Sequence, residues 1–306
     1  MAVTAALVKQ LRETSGAGMM DCKKALEETN ADIDAAVDWL RTKGLATAEK
    51  KSGRVASEGL VAIHVQGNSA AMIELNAETD FVSRNDDFQF LASSLAKLAN
   101  DAENIDELIA LPFPNTQRTV KEEITHNIAT IGENMMLRRM KNIKVNKGTI
   151  VSYVHNATAE GMGRIGVLVA LESDLKIDIL NDLGKQIAMH VAAAKPVSLS
   201  VEELDPYIVQ REREVLIEQA KQSGKPQEIA EKMVEGRIRK FYQEVVLLEQ
   251  TFVIDGESKV ADVLKNTAHE AGGEIVLKEF SLFVLGDGIE KEETDFAAEV
   301  AAQLNK

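Results

Sequence analysis

The sequence has 306 residues, is 45% hydrophobic but only 4% aromatic, and carries a formal net charge of −14. That length suggests about two domains with a further module, and the acidity argues against nucleic acid or an anionic membrane as the main partner, since both need a basic footprint. A single cysteine, Cys22, excludes an internal disulfide and a cysteine-rich zinc site. No signal peptide, Arg-rich transit segment or long apolar run is found, so a cytoplasmic protein is expected.

Residues 1–44 read as three short helices. Leu7, Val8 and Leu11 form one stripe, Met20, Ala25 and Leu26 belong to a second helix, and Ile33, Ala36, Val37 and Leu40 form a third. Thr29-Asn30 offers the third N-cap and Gly44 its stop. This is a helical bundle of the ubiquitin-associated type. Of Met19 and Met20, one is expected in its core and the other as an adaptable contact. Arg12 and Lys23 read equally as solvated charges or as partner contacts. Charged residues, glycines and the lack of an apolar period make 45–58 a linker.

A first α+β subdomain is expected over 59–147. Leu60 to Val65 and Ala71 to Leu75 alternate as a hairpin. Asp86 can cap a helix running to about Asn100, Gln117 to Ile131 reads as another helix, and Met135 to Ile143 returns as a strand. Between hairpin and helix stands Thr79-Asp80-Phe81-Val82, apolar where a polar turn is expected. Phe81 either folds back as a staple on the helix or projects as an anchor for a partner. Composition alone favours the staple.

The strand–strand–helix order recurs in Thr149 to Val154, Ile165 to Leu171 and a helix from Lys176 to Ala194, with a long Gly-rich loop between the strands. A second, similar subdomain is therefore expected over 148–195 and 251–288, with strands at Thr251 to Ile254 and Glu274 to Leu285. Residues 196–250 form a charged antiparallel helical hairpin turning at Ser223-Gly224-Lys225-Pro226. Its apolar stripe suggests association with a second copy. Residues 289–306 form a C-terminal helical module, capped by Thr294 and carrying Phe296, Val300 and Leu304 on one face. The fold class is thus α+β: a bundle, two subdomains, a protruding hairpin and a C-terminal helix.

Chemical motifs are scarce. Gly161 to Gly166 matches G-x-G-x-x-G, but leads into a strand where a dinucleotide site needs a helix. No G-x-x-x-x-G-K-[ST] occurs, and the histidines His64, His126, His155, His190 and His269 lack metal-ligand spacing. Nothing assembles into an active site, so no cofactor, bound metal or catalytic residue is expected.

A resemblance then becomes specific. Leu7-Val8-Lys9 and Thr14 through Leu26 resemble the opening of the bacterial elongation factor Ts family, and Thr79-Asp80-Phe81-Val82 matches its central motif. Ile131 to Asn134, Arg164 to Leu168, His190 to Ala193 with Lys195-Pro196, Ser223 to Pro226 and Lys232 to Arg237 are similar to further family blocks, in family order over nearly the whole chain. The loop Asn156 to Gly163 is longer than the family pattern.

This resemblance implies a guanine-nucleotide exchange factor for the translational GTPase elongation factor Tu. It implies that Asp80 and Phe81, flanked by Thr79 and Val82, enter the GTPase domain and displace the Mg²⁺ that holds GDP. Ile131 and Gly132 would support them, Arg12, Met19, Met20 and Lys23 would dock the bundle, and His155 would touch the partner elsewhere. With the resemblance included, Phe81 is expected to project. Two readings compete: a non-catalytic ubiquitin-associated interaction module, which leaves most of the chain unexplained, and an enzyme with an unrecognised site.

Overall fold

The computed structural model describes residues 2–222 and 226–290. The expected C-terminal helix with Thr294 and Phe296, and Ser223 to Lys225 of the hairpin turn, lie outside the described residues.

Three helices open the chain: α1 (Ala5–Ser15), α2 (Met19–Glu28) and α3 (Ile33–Lys51). Thr4 caps α1 by accepting from the Leu7 N–H at 3.3 Å, and Asp32, not Thr29-Asn30, caps α3 by accepting from the Ala35 N–H at 3.0 Å. Asn30 and Ala31 instead make a left-handed turn that frees Asp32 for this role. Leu11, Cys22, Ala25, Leu26 and Ala36 fill the bundle core. Gly44 does not end α3. It is buried against α6 (Val120–Ile131), where an added Cβ would lie 3.4 Å from that of Ala129. Ala48 continues the packing, so the first part of the expected linker is helix and the bundle is seated on α6.

Six antiparallel strands form one sheet: β1 (Glu58–Gln66), β2 (Ser69–Ala77), β3 (Met135–Lys144), β4 (Gly148–Ala159), β5 (Met162–Glu172) and β6 (Val276–Val284). Their order is β3-β2-β1-β5-β4, with β6 also paired to β5. The link between β1 and β5 is short, Val61↔Gly163 and Ala62↔Met162. Beyond it the two strand groups turn their faces to each other. Val61, Ala70, Met72 and Ile143 from one group share a core with Ile150, Leu168, Ala170 and Phe283 from the other. Gly166 sits where they come closest: a Cβ there would fall 2.6 Å from Val61 Cγ1 and 2.8 Å from Met72 Sδ.

Helices cover the outer faces. Leu60, Ile73 and Leu75 pack with α4 (Asp86–Leu98), α5 (Ile105–Ala110) and α6. Val167, Val169 and Leu171 pack with α7 (Ile177–Ala194) and a later helix over Val260–Ala271. Strands between two apolar layers lose the in/out alternation of a half-solvated sheet, which is why β2 is buried nearly throughout.

Two further expectations are overturned. The segment Asn156 to Gly163 is not a loop: β4 and β5 extend through it as a hairpin with a register shift between Ala157 and Ala159. Asn156, at φ 54°, supplies the irregularity. Thr251 to Ile254 is not a strand. Thr251 makes one bridge to Lys259, and the chain then turns around Asp255, whose carboxylate accepts the N–H groups of Glu257 (2.9 Å) and Ser258 (3.0 Å).

The hairpin helices are α8 (Pro206–Gln222) and α9 (Gln227–Val245), after which the helix at Val260–Ala271 is α10. Leu216, Ala220, Val234 and Ile238 form a core of their own between α8 and α9. Part of the stripe is thus used inside the hairpin, while Tyr207, Val215, Ile217 and Ile229 stay exposed. Among the described residues, no helix is long and apolar enough to cross a membrane.

Candidate functional site

Strand β2 delivers the chain to a short 3₁₀ turn, Asp80–Arg84, before α4 begins. With three residues per turn, successive side chains there point in different directions. Val82 turns inward, is 5% exposed, and joins the core under α4. Phe81 turns outward and is 81% exposed. The staple role therefore falls to Val82, and Phe81 projects. Ser83 Oγ donates to the Asp80 carbonyl at 2.6 Å, and Gln89 Nε2 donates to the Ser83 carbonyl at 2.9 Å, closing the turn onto α4. Asn85, rather than Asp86, caps that helix, its Oδ1 accepting from the Phe88 N–H at 3.1 Å.

The base of the turn is a junction of three segments. Thr79 donates its N–H to Glu133 Oε2 at 2.9 Å and its hydroxyl to Glu133 Oε1 at 2.6 Å. Glu78 Oε1 accepts from the Asn134 N–H at 2.6 Å and lies 3.4 Å, through Oε2, from Arg54 Nη1. Asn134 Nδ2 donates to the Arg54 carbonyl at 2.8 Å, and Lys51 Nζ donates to the Gly132 carbonyl. Gly132 ends α6 with φ 89°, a conformation costly for any residue with a Cβ. Ile131, half-buried, packs on the first core. Thr79, Asp80, Phe81, Val82, Ile131 and Gly132 are thus gathered at one place. Sequence reasoning did not assign Glu133, Glu78, Arg54 or Lys51 to it, although Glu133 lies within the block Ile131 to Asn134 and Glu78 adjoins Thr79.

Further down β2, Glu74 is fully buried. It meets Arg139 Nε at 2.6 Å, Arg138 Nη1 at 3.1 Å, the Gly286 N–H at 2.9 Å and Asn76 Nδ2 at 3.0 Å. Burial pushes its pKa up. The Gly286 N–H, Arg139 and Asn76 together outweigh burial, so the net shift is downward and the carboxylate stays charged. This bracket ties β2, β3 and the chain leaving β6 together behind the projecting turn.

The bundle residues occupy a second surface. Met19 and Met20 are 59% and 74% exposed, so neither fills the core, a place taken by Cys22 at the next inward position of α2. Arg12 is exposed in the last turn of α1, and Lys23 is exposed beside Glu27 at 3.7 Å. The bundle abuts α6 through Gly16, where a Cβ would lie 3.2 Å from His126 Nε2, as well as through Gly44. Both surfaces therefore rest on the same helix. His155 is exposed on edge strand β4, its Nδ1 3.0 Å from the Tyr153 hydroxyl, and is not part of the network under Phe81.

The site is a projection, not a cavity. A groove of about 610 Å³ between residues 195–199 and β6 includes none of Thr79 to Val82. Among the described residues, no group of three or more His, Cys, Asp or Glu could hold a metal ion. What the geometry offers is an aromatic ring beside a carboxylate, held out on a hydrogen-bonded base.

Comparison with known proteins gives one family. The family model described as Elongation factor TS matches residues 78–287. Elongation factor Ts of Rhodospirillum rubrum is 58% identical over 306 residues, covering 99% of each chain. That of Paramagnetospirillum magneticum is 57% identical, covering 98% of this chain and 97% of its own. That of Gluconobacter oxydans is 58% identical with the same coverage.

Proposed function

The chain belongs to the elongation factor Ts family of translation factors, and on that premise we propose that it is a guanine-nucleotide exchange factor for elongation factor Tu. The observation that carries the reading is Phe81: an aromatic side chain 81% exposed on a turn whose neighbours are fastened to the core. Single exposed apolar residues are ordinary, but Phe81 is the most exposed of the large apolar side chains described and stands on a fastened base, as an interface anchor does.

Asp80 and Phe81 enter the GTPase and displace Mg²⁺ from beside the GDP phosphates, and GDP then leaves. Mg²⁺ is the largest local positive charge in such a site, so shifting it raises the free energy of the bound nucleotide. The factor binds nucleotide-free partner more tightly than the GDP-bound form. Linkage then requires nucleotide to weaken factor binding by the same ratio. The protein performs no bond-making chemistry; it selects a conformation of its partner by packing. Thr79 and Val82 flank the tip, Ile131 and Gly132 support it, Arg12, Met19, Met20 and Lys23 dock the bundle, and His155 touches the partner separately. The hairpin is the proposed place of association with a second copy, through exposed residues such as Val215, Ile217 and Ile229.

The test is release of fluorescent GDP from purified elongation factor Tu, with and without this protein. Acceleration that saturates with concentration is the expected result. Release at the unassisted rate over the whole range would remove the reading.

A further inference from the structure

Glu133 stands immediately after Gly132, the left-handed residue that ends α6. A carboxylate beyond a helix C-terminus faces the negative end of the helix dipole, where helix stability favours a cation. It also lies near Glu78, since Asn134, the next residue, donates its N–H to Glu78 at 2.6 Å. Its position is therefore unfavourable for α6 alone. What it gains is Thr79: the N–H at 2.9 Å and the hydroxyl at 2.6 Å, both charge-assisted. Thr79 is the residue before the 3₁₀ turn, and its side chain makes no capping bond to that turn. Its donors point back to Glu133, so the direction in which Asp80 and Phe81 leave β2 is set by this carboxylate. The same segment is tied to the end of α3 through Lys51 and Arg54.

We propose that Glu133 is a positioning residue for nucleotide exchange, acting through Thr79 to hold Asp80 and Phe81 in the inserting geometry. The inference rests on the proposed exchange role of the projecting turn. Its physical basis is preorganisation: a turn that must be ordered during insertion spends part of its binding energy on that ordering. Glu133 is half-buried and bonded to polar groups, so its loss opens no cavity among apolar side chains.

The experiment compares Glu133→Ala, Glu133→Gln, Thr79→Val and the double variant Glu133→Ala/Thr79→Val with Phe81→Ala and the unaltered protein. Maximal stimulated GDP release, half-saturating concentration and thermal midpoint are measured for each. Expected for Glu133→Ala is a fall of about tenfold in maximal release, the scale of one good charge-assisted hydrogen bond. The half-saturating concentration should change less, because the bundle still docks. Glu133→Gln, which keeps an acceptor and the volume, should recover part of the rate. In the Thr79→Val background, the loss from Glu133→Ala should shrink, as required if the two act as one unit. If Glu133→Ala and Glu133→Gln release GDP at the unaltered rate while Phe81→Ala is slow, the positioning role is wrong and the role of Phe81 stands. If Phe81→Ala is also unaffected, both fall. A rate loss in Glu133→Ala that only tracks a lowered midpoint, with full additivity to Thr79→Val in the double variant, overturns the proposal in favour of a purely structural carboxylate.

Discussion

Phe81 and Val82 are adjacent, both apolar, and oppositely placed. Val82 is buried under α4 and Phe81 stands in water. Truncating each to alanine should separate stability from function. Val82→Ala should lower unfolding free energy by about 2 kcal/mol, the cost of emptying a buried valine site. Phe81→Ala should leave it nearly unchanged, since an exposed ring fills no cavity. Denaturant unfolding of the two variants checks this; a large loss in Phe81→Ala would mean that the ring packs on the protein itself. The sequence could show that this stretch was unusual, but not which residue turned inward. An α-turn and a 3₁₀ turn place the same two residues differently, and the turn's contacts include one between distant segments, Thr79 to Glu133, that has no local sequence signal.

Elements with strong local periodicity were legible. The stripes of α4, α6 and α7 and the alternation of β6 are present close to where spacing puts them. The misses occur where a distant surface overrides the local signal. Gly44 reads as a stop, but burial against Ala129 of α6 carries α3 on to Lys51. Thr251 to Ile254 reads as a strand, yet Phe252 is buried in the core with α7 and α10 and the chain turns around Asp255. The chain entering that turn also meets a titratable side chain of α7. His190, fully buried, accepts the Val253 N–H on Nδ1 at 3.2 Å and has Nε2 2.9 Å from Gln250 Oε1. Val253 can bond only an unprotonated Nδ1, so the neutral ring is the one the fold holds.

Burial pushes the pKa of His190 down from 6.5, and the bond to Gln250 only partly opposes it. Its folded pKa is therefore below the unfolded one, and the unfolded chain takes up the proton first as pH falls. The contribution is fully present above about 6.5 and is lost as pH drops through the window down to the folded value. The thermal midpoint should fall on acidification through that window. His190→Gln should show a shallower fall. His64 and His126 are shifted in the same direction by burial, reinforced by Lys97 and Arg118 respectively, so some slope should remain. An identical pH profile for the variant would contradict the assignment.

At the scale of the whole molecule, two strand groups face each other with helices outside, and among the described residues three attachments extend from that body. The bundle is seated on α6, the projecting turn leaves β2, and the hairpin carries its own core. The internal repeat in sequence pointed to the two strand groups. It could not show their face-to-face packing, because burial on a second face leaves no period to read. Since Leu216, Ala220, Val234 and Ile238 bury one another, replacing most of α8 and α9 by a short polar loop should leave a folded protein that still stimulates exchange. Light scattering should give a monomer mass for it and a dimer mass for the intact chain. A monomer in both cases would refute association through the hairpin, and lost exchange with an intact fold would mean that the hairpin touches the GTPase.

In the proposed exchange, Phe81 acts on Mg²⁺ in the partner and not merely as an extra contact. The direct measurement is GDP release from elongation factor Tu, driven by the unaltered protein and by Phe81→Ala, in saturating Mg²⁺ and again with Mg²⁺ chelated. The expected result is a large deficit for Phe81→Ala in saturating Mg²⁺ that nearly disappears once the ion is removed, because the step the ring performs has then been done already. An equal deficit under both conditions, or none under either, would contradict it.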